Sequence, residues 1–193
     1  MPEITGHGWE LKIVRLGLQT NTSQTPSVRT YGTYQVFIDG VAQAALAGHI
    51  CERTGPGDNS PAGKRSHVRI EAGVYPLSTQ FGTRYASVGF SGSEDKPMPG
   101  IAVMNTGSRS AILIHPGHHP RLYISSIGCF NPTKPLRAAD LIDFTDSRGR
   151  VIALLASLKQ HDPSAFARVG RNTAISHARM ILDGEPMNRV ADS

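Results

Sequence analysis

The chain has 193 residues, which is enough for one domain with a sizeable core and too few for two well-packed domains. Its 20 glycines, 13 prolines and 39% hydrophobic residues fit a turn-rich β protein better than a helical bundle. The net charge of +5 favours an anionic partner. The lysines and arginines are scattered and not clustered, so the charge is the only feature that supports a nucleic-acid-binding domain. We therefore predict a single domain over residues 1–193 and no specific nucleic-acid partner.

Targeting and membrane segments are not visible in the sequence. Residues 1–12 have neither the basic segment nor the apolar segment of a secretory signal. No apolar run approaches the ~18–20 residues that a membrane span requires. We expect a protein made in the cytoplasm, with no membrane span, that would need another route to any external target.

The first third of the chain predicts a hairpin-rich sheet. Apolar alternation indicates an opening strand over Trp9–Gln19, and Asn21–Thr30 has the composition of a loop. A second strand is predicted over Thr33–Asp39, where an Asp-Gly pair gives a strong hairpin signal. Val41–Glu52 is therefore predicted as the return strand, although its four alanines leave a helix open.

The middle of the chain alternates short strands with turns. Glycine, proline and serine mark a long loop over Thr54–Ser66. The apolar pieces that follow predict four strands, the last of them central and buried: Val68–Ile70, Gly73–Leu77, Arg84–Phe90 and Ser110–His115.

The last third of the chain predicts helices. Asp146 or Ser147 can cap a helix whose apolar residues recur at helical spacing, namely Val151, Leu154, Leu155 and Leu158. Asp162-Pro163 begins a second short helix, and Thr173–Leu182 is a third helical candidate. The predicted fold is mainly β with C-terminal helices. A β-sandwich or barrel core would cover about 9–131, and a helical extension about 146–184.

The motif with the most reactive side chains runs from Ile112 to Asn131. An apolar run ends at His115, a Gly/Pro-rich loop follows, and Cys129 comes fourteen positions after the histidine. An adjacent imidazole converts a thiol into a thiolate–imidazolium pair and makes the sulfur a nucleophile. Gly128 would let the backbone turn tightly and aim N–H groups at a developing oxyanion.

Three alternatives would give Cys129 another role. It can be a buried cysteine that only packs. It can form a disulfide with Cys51, which would remove the nucleophile, so the catalytic interpretation requires Cys51 to be a reduced, buried strand residue. Loop histidines can also converge with it on zinc, and the candidate ligands would then be His115, His118, His119 and Cys129.

The pattern His-x-Gly, a spacer and Ser-x-Gly-Cys-x-Asn resembles the active-site signature of the L,D-transpeptidases, cysteine enzymes that act on bacterial peptidoglycan. It is most similar to a small branch in bacteria and phages with an IHPGN…GC core. That branch also has a short aGxY element, which Ala72–Tyr75 matches here. The resemblance covers about Gly32–Gln160, and its specific part is His115–Asn131.

The resemblance implies roles for the residues that match the motif. Cys129 would be the nucleophile and His115 the general base, the carbonyl of Pro116 would orient the imidazole, and Gly128 would shape the turn. We expect four further residues to contact substrate, namely Ser126, Asn131, His118 and Arg121. Arg121 would bind a substrate carboxylate. No cofactor and no bound metal is expected.

The chain departs from the family pattern at two positions. Ile127 stands where the family has a histidine before the Gly-Cys pair, and His118 stands where the branch has an asparagine. The lost histidine predicts weaker stabilisation of the oxyanion, and it leaves the nucleophile and base in place.

The resemblance implies an enzyme that acts on peptidoglycan stem peptides through a thioester on Cys129, by transpeptidation, D-amino-acid exchange or L,D-carboxypeptidase trimming. The alternative is a non-catalytic cell-wall-binding or phage or secretion-system module of the same fold. Because stem peptides lie outside the cytoplasm, three routes stay open: injection into a periplasm by a secretion system, release by a phage, or action on cytoplasmic wall precursors. An immunity protein or the secretion apparatus would then be a further partner.

Overall fold

The structure, a computed structural model, describes residues 3–22, 27–60 and 68–185. No helix in these ranges is long and apolar enough to cross a membrane. The elements in chain order are β1 (Trp9–Asn21), β2 (Ser27–Ile38), β3 (Val41–Glu52), β4 (Gly73–Thr79), β5 (Tyr85–Ala86), β6 (Met98–Pro99), β7 (Ile101–Val103), β8 (Leu113–Ile114), β9 (Asn131–Thr133), α1 (Phe144–His161), α2 (Pro163–Phe166) and β10 (Ala174–Asp183).

Eight of the strands form one sheet in the order β8-β7-β4-β10-β1-β2-β3-β9, and β5 and β6 form a separate pair. The two edge strands of the large sheet approach each other at a parallel bridge between Ile114 and Phe130. The His115 N–H donates to the Phe130 carbonyl at 3.0 Å, and the Phe130 N–H donates to the Leu113 carbonyl at 2.9 Å. The prediction of a mainly β fold is confirmed, and the sheet is a nearly closed barrel.

The long hairpins that begin the sheet follow the sequence signals. Asp39 and Gly40 both have positive φ, at +47° and +80°, as the predicted tight turn requires. β3 returns antiparallel to β2, so the helical alternative for Val41–Glu52 is wrong. The loop predicted over Asn21–Thr30 differs from the structure at its C-terminal end, because β2 already begins at Ser27. Residues 23–26 of that prediction lie outside the described ranges.

The helix α1 lies where the apolar spacing predicts it. Val151, Leu154, Leu155 and Leu158 are all buried in the main core with Trp9 and Leu11 of β1. The cap is Asp143, whose side chain accepts a hydrogen bond from the Asp146 N–H, and neither of the predicted residues is the cap. α2 begins at Pro163 with Asp162 as its cap, as predicted.

The third predicted helix, Thr173–Leu182, is wrong, because this segment forms β10. β10 lies between β4 and β1 in the middle of the sheet and runs parallel to β1. Three of its last four residues, Met180, Ile181 and Leu182, form a continuous buried apolar run. Such a run cannot be distinguished from a buried helix by periodicity alone. The helical extension therefore ends with α2 and not near residue 184.

The strand predicted over Ser110–His115 is also shorter and differently placed. Only Leu113 and Ile114 are extended, and they lie at the edge of the sheet. Ala111 has a positive φ of +56°, which interrupts the extended backbone before them.

Other middle segments differ as well. Val68–Ile70 forms no strand, Arg84–Phe90 contributes only β5, and Gly73–Leu77 is confirmed within β4. The predicted loop over Thr54–Ser66 is irregular through residue 60, and its remainder lies outside the described ranges.

Candidate active site

The motif lies at the seam where the two edges of the barrel meet. Ile114 and Phe130 form the bridge, and both are fully buried in the main core. Side chains alternate along extended backbone, so His115 and Cys129 project from the opposite face of the seam. On that face Leu113 and Cys129 belong to a second buried cluster. Closure of the barrel therefore brings the imidazole and the thiol to one side of the sheet.

Both reactive side chains line the same cavity, which has a volume of about 800 Å³. Basic and polar side chains line this cavity together with apolar ones, so it suits a ligand that carries an anionic group on a partly apolar body. The other lining residues are Gln80, Gly82, Thr83, Arg84, Tyr85, Ala111, Leu113, His118, His119, Pro120, Arg121, Ser125, Ser126 and Ile127.

The Cys129 thiol is held against the backbone of the segment that precedes β8. Its sulfur lies 3.3 Å from the Leu113 N–H, which donates to it, and 3.4 Å from the Ala111 carbonyl, which accepts from it. The residue is 8% exposed. Burial raises the pKa of the Cys129 thiol to about 11, because the anion would lose its hydration.

The His115 imidazole is oriented by the peptide that follows it. Its Nδ1 lies 2.7 Å from the Pro116 carbonyl oxygen. A carbonyl only accepts, so Nδ1 carries the proton and the Nε2 lone pair stays free to accept one. Burial lowers the pKa of His115 to about 3, which keeps the ring neutral. The contact with Pro116 that the resemblance implies is thus present.

The preformed thiolate–imidazolium pair that the motif suggested is not the resting state of this site. Burial disfavours the charged form of both Cys129 and His115. Within the described ranges, no hydrogen bond joins the sulfur to the imidazole, since each group is bonded to backbone instead. The two groups are therefore a neutral thiol and a neutral imidazole in this site.

Gly128 is fixed by its own backbone and by Arg109, to which the sequence assigned no role. Its φ is +150°, and a Cβ there would lie 2.5 Å from Nη2 of Arg109. That Nη2 donates to the Ile127 carbonyl at 3.0 Å, and Nη1 donates to the Asp58 carbonyl at 3.2 Å. Arg109 thus positions the peptide that precedes Cys129.

Two of the predicted substrate contacts lie in the supporting structure around the pair. Asn131 is buried, does not line the cavity, and donates from Nδ2 to the His115 carbonyl at 2.9 Å. A positioning role therefore fits its place better than contact with substrate. Ser126 does line the cavity, and its hydroxyl donates to the Cys129 carbonyl at 2.7 Å.

The other two predicted contacts, His118 and Arg121, line the cavity. His118 is half-buried, and its Nε2 lies 2.7 Å from the hydroxyl of Tyr85. Tyr85 was not predicted, because it lies thirty residues before His115 in a segment without a motif. Its ring packs against the His115 imidazole with centroids 4.5 Å apart.

Ser147 supports the seam from α1, and the sequence suggested it only as a helix cap. Its hydroxyl accepts from the Gly117 N–H at 2.9 Å and donates to the Pro132 carbonyl at 2.6 Å. One buried hydroxyl thus joins the loop after β8 to β9. A Cβ on Gly117 would lie 2.6 Å from Ile142, so this close approach requires glycine.

The disulfide and zinc alternatives for Cys129 find little support in these contacts, whereas its burial in the second cluster is also what the packing alternative expects. Both cysteines are free, and Cys51 is a buried residue of β3, as expected. In the parts of the chain that the structure describes, no three His, Cys, Asp or Glu side chains converge as metal ligands. His118 is instead engaged by Tyr85 and by the His119 carbonyl.

Comparison with family models, with curated proteins and with solved structures found no match to this chain. The resemblance to L,D-transpeptidases therefore rests on the motif residues alone.

Proposed function

We propose that the protein is a cysteine acyltransferase of the L,D-transpeptidase type, with a barrel of that family's kind. The observation that carries the proposal is the placement of Cys129 and His115 on one side of the barrel seam, in one cavity, with the Nε2 lone pair of His115 left free by the Pro116 carbonyl. A thiol and a neutral imidazole base in one cavity are the minimum that acyl transfer through a thioester requires.

The first half-reaction uses these two groups. The Cys129 thiol gives its proton to His115 Nε2 as the sulfur attacks the carbonyl carbon of the scissile amide. The C–N bond then breaks, and His115 returns that proton to the leaving amine. The Cys129 backbone N–H makes no hydrogen bond within the described ranges, so it is available to the oxyanion. Proton transfer accompanies attack because neither group is charged at rest.

The motif and the charge of the cavity suggest the substrate. In the family that the motif resembles, the scissile amide joins the third residue of a peptidoglycan stem to a terminal D-alanine. Arg84 and Arg121 are exposed residues that line the cavity and can bind the terminal carboxylate of such a stem. An amine acceptor gives cross-linking or exchange, and water gives trimming. We propose delivery to the wall by a secretion system or a phage, with an immunity protein as a partner in a producing cell.

The second candidate is a wall-binding module without catalysis. Ile127 favours it, because this side chain is 52% exposed at the cavity where the family has a histidine. A site of this kind would bind stems and leave them intact.

The experiment that separates the two functions uses purified tetrapeptide stems ending in D-alanine. We expect the wild-type protein to release D-alanine or form exchanged products, and Cys129→Ala to do neither while keeping its fold. Sedimentation with wall sacculi, without release of D-alanine by the folded wild-type protein, would instead establish the binding module.

A further inference from the structure

A second imidazole faces the cavity beside the first. The ring centroids of His118 and His115 are 5.7 Å apart, and the ring of Tyr85 contacts both. His115 is 2% exposed, whereas His118 is half-buried and open to the cavity. A molecule that enters from solvent therefore meets Tyr85 and His118 before it reaches His115.

The direction of the hydrogen bonds in this pair is fixed. His118 Nδ1 lies 2.9 Å from the His119 carbonyl, which can only accept, so Nδ1 carries the proton. Nε2 therefore accepts from the Tyr85 hydroxyl at 2.7 Å. The Ser125 hydroxyl accepts from the His118 N–H at 3.0 Å and holds the backbone. Tyr85 thus keeps an oxygen lone pair for a ligand while its own proton points at a base.

The surroundings keep the His118 imidazole neutral. Burial lowers the pKa of His118, its bond to the His119 carbonyl opposes this, and the nearby positive charges of Arg84 and Lys96 lower it further. Tyr85 is buried as well, and burial raises its pKa to about 12, so it stays a phenol at neutral pH. A neutral imidazole behind a neutral phenol can relay a proton away from a nucleophile.

We propose that Tyr85 and His118 deprotonate the acceptor in the second half-reaction, whereas His115 deprotonates the thiol in the first. This inference rests on the proposed function. The acceptor amine or water attacks the thioester carbon and gives a proton to the Tyr85 oxygen. Tyr85 passes its hydroxyl proton to His118 Nε2. The new C–N or C–O bond forms, the C–S bond breaks, and the proton on His118 returns through Tyr85 to the departing Cys129 sulfur. Tyr85 and Cys129 belong to the same buried cluster and line the same cavity.

The test measures the two half-reactions separately on the full chain. Intact-mass spectrometry follows the appearance of the thioester with a tetrapeptide stem, and then its decay after a D-amino acid is added as acceptor. In Tyr85→Phe the ring that packs on His115 remains, and in His118→Gln an acceptor for the Tyr85 hydroxyl remains. We expect both variants to acylate within about threefold of the wild-type rate and to deacylate about 100-fold more slowly. Tyr34→Phe, which removes a hydroxyl that lies outside this cavity, should change neither rate.

The outcomes distinguish this inference from the proposed function. If the wild-type protein forms no thioester, the proposed function and this inference both fail. If the thioester forms and the two variants deacylate at the wild-type rate, only the relay is overturned. A slowing of acylation as large as that of deacylation would also overturn it, because Tyr85 would then act only by positioning His115.

Discussion

Asn131 donates from its side chain to the backbone carbonyl of His115 at 2.9 Å, across the seam that closes the barrel. The two residues lie opposite each other beside the bridge between Ile114 and Phe130. Asn131, the last residue of the motif, therefore fixes the backbone of the proposed base. The register of the closing strands places these two residues opposite each other.

Replacing Asn131 with Ala should lower the free energy of unfolding by about 1–3 kcal/mol, because the buried His115 carbonyl loses its donor. We expect kcat to fall with little change in KM, since Asn131 does not line the cavity. Urea denaturation and steady-state kinetics with stem peptides measure the two effects. A raised KM at unchanged kcat would show that Asn131 contacts substrate after all.

Gly128→Ala should abolish acylation and destabilise the fold. The new Cβ would lie 2.5 Å from Arg109 Nη2, and a φ of +150° is strained for any residue with a side chain. Gly149→Ala is the matched control, because this exposed glycine of α1 has no atom within 4 Å of the added Cβ. That control should gain about 0.5–1 kcal/mol of stability from helix propensity. A Gly128→Ala protein that acylates like the wild type would show that the turn is not required.

The rate of Cys129 alkylation should rise steadily with pH, as it does for a buried neutral thiol. Its pKa is raised to about 11, so the thiolate fraction increases about tenfold per pH unit between pH 6 and 9. Iodoacetamide labelling followed by peptide mapping gives the rate for each cysteine, and Cys51 should react more slowly because it lies in the core away from the cavity. Rapid labelling that is constant from pH 6 to 8 would instead indicate a preformed ion pair.

His115 should make the fold less stable in acid. Its pKa falls from 6.5 to about 3 on burial, so the unfolded chain binds a proton in this range that the folded chain does not. Stability is therefore complete above about pH 6.5 and is lost as the pH falls toward 3. His115→Gln should show a shallower loss over this window in thermal unfolding. Parallel pH profiles of the two proteins would contradict the burial of a neutral ring.

Ile127→His restores the family's histidine at an exposed position. Because Ile127 is 52% exposed and lines the cavity, the change should leave stability within about 0.5 kcal/mol. If oxyanion stabilisation is weak here, the added donor should raise the acylation rate at least about tenfold. A rate that stays the same or falls would show that this chain stabilises the oxyanion by other groups.

The sequence predicted the parts of the site that depend on local order. His115 was recognised at the end of an apolar run and Cys129 behind a glycine, because a strand end and a tight turn have strong local signatures. Tyr85, Arg109 and Ser147 were missed or left without a role, because they reach the site through long-range closure of the barrel.

The same limit explains the largest error in the fold. Nothing local distinguishes β10 from a helix, since its strand state depends on pairing with β1 and β4, which lie far away in sequence. The hairpin at Asp39 and Gly40 was predictable because its partners are adjacent and its turn residues tolerate positive φ.

The most direct test of the central claim is the site of the covalent adduct. Wild-type protein is mixed with a tetrapeptide stem, quenched in acid, digested, and mapped by tandem mass spectrometry. The proposed mechanism predicts a thioester on Cys129 with loss of one D-alanine, greatly reduced in His115→Ala and absent in Cys129→Ala. An adduct on Cys51, or no adduct on the folded wild-type protein while D-alanine is released, would contradict Cys129 as the nucleophile.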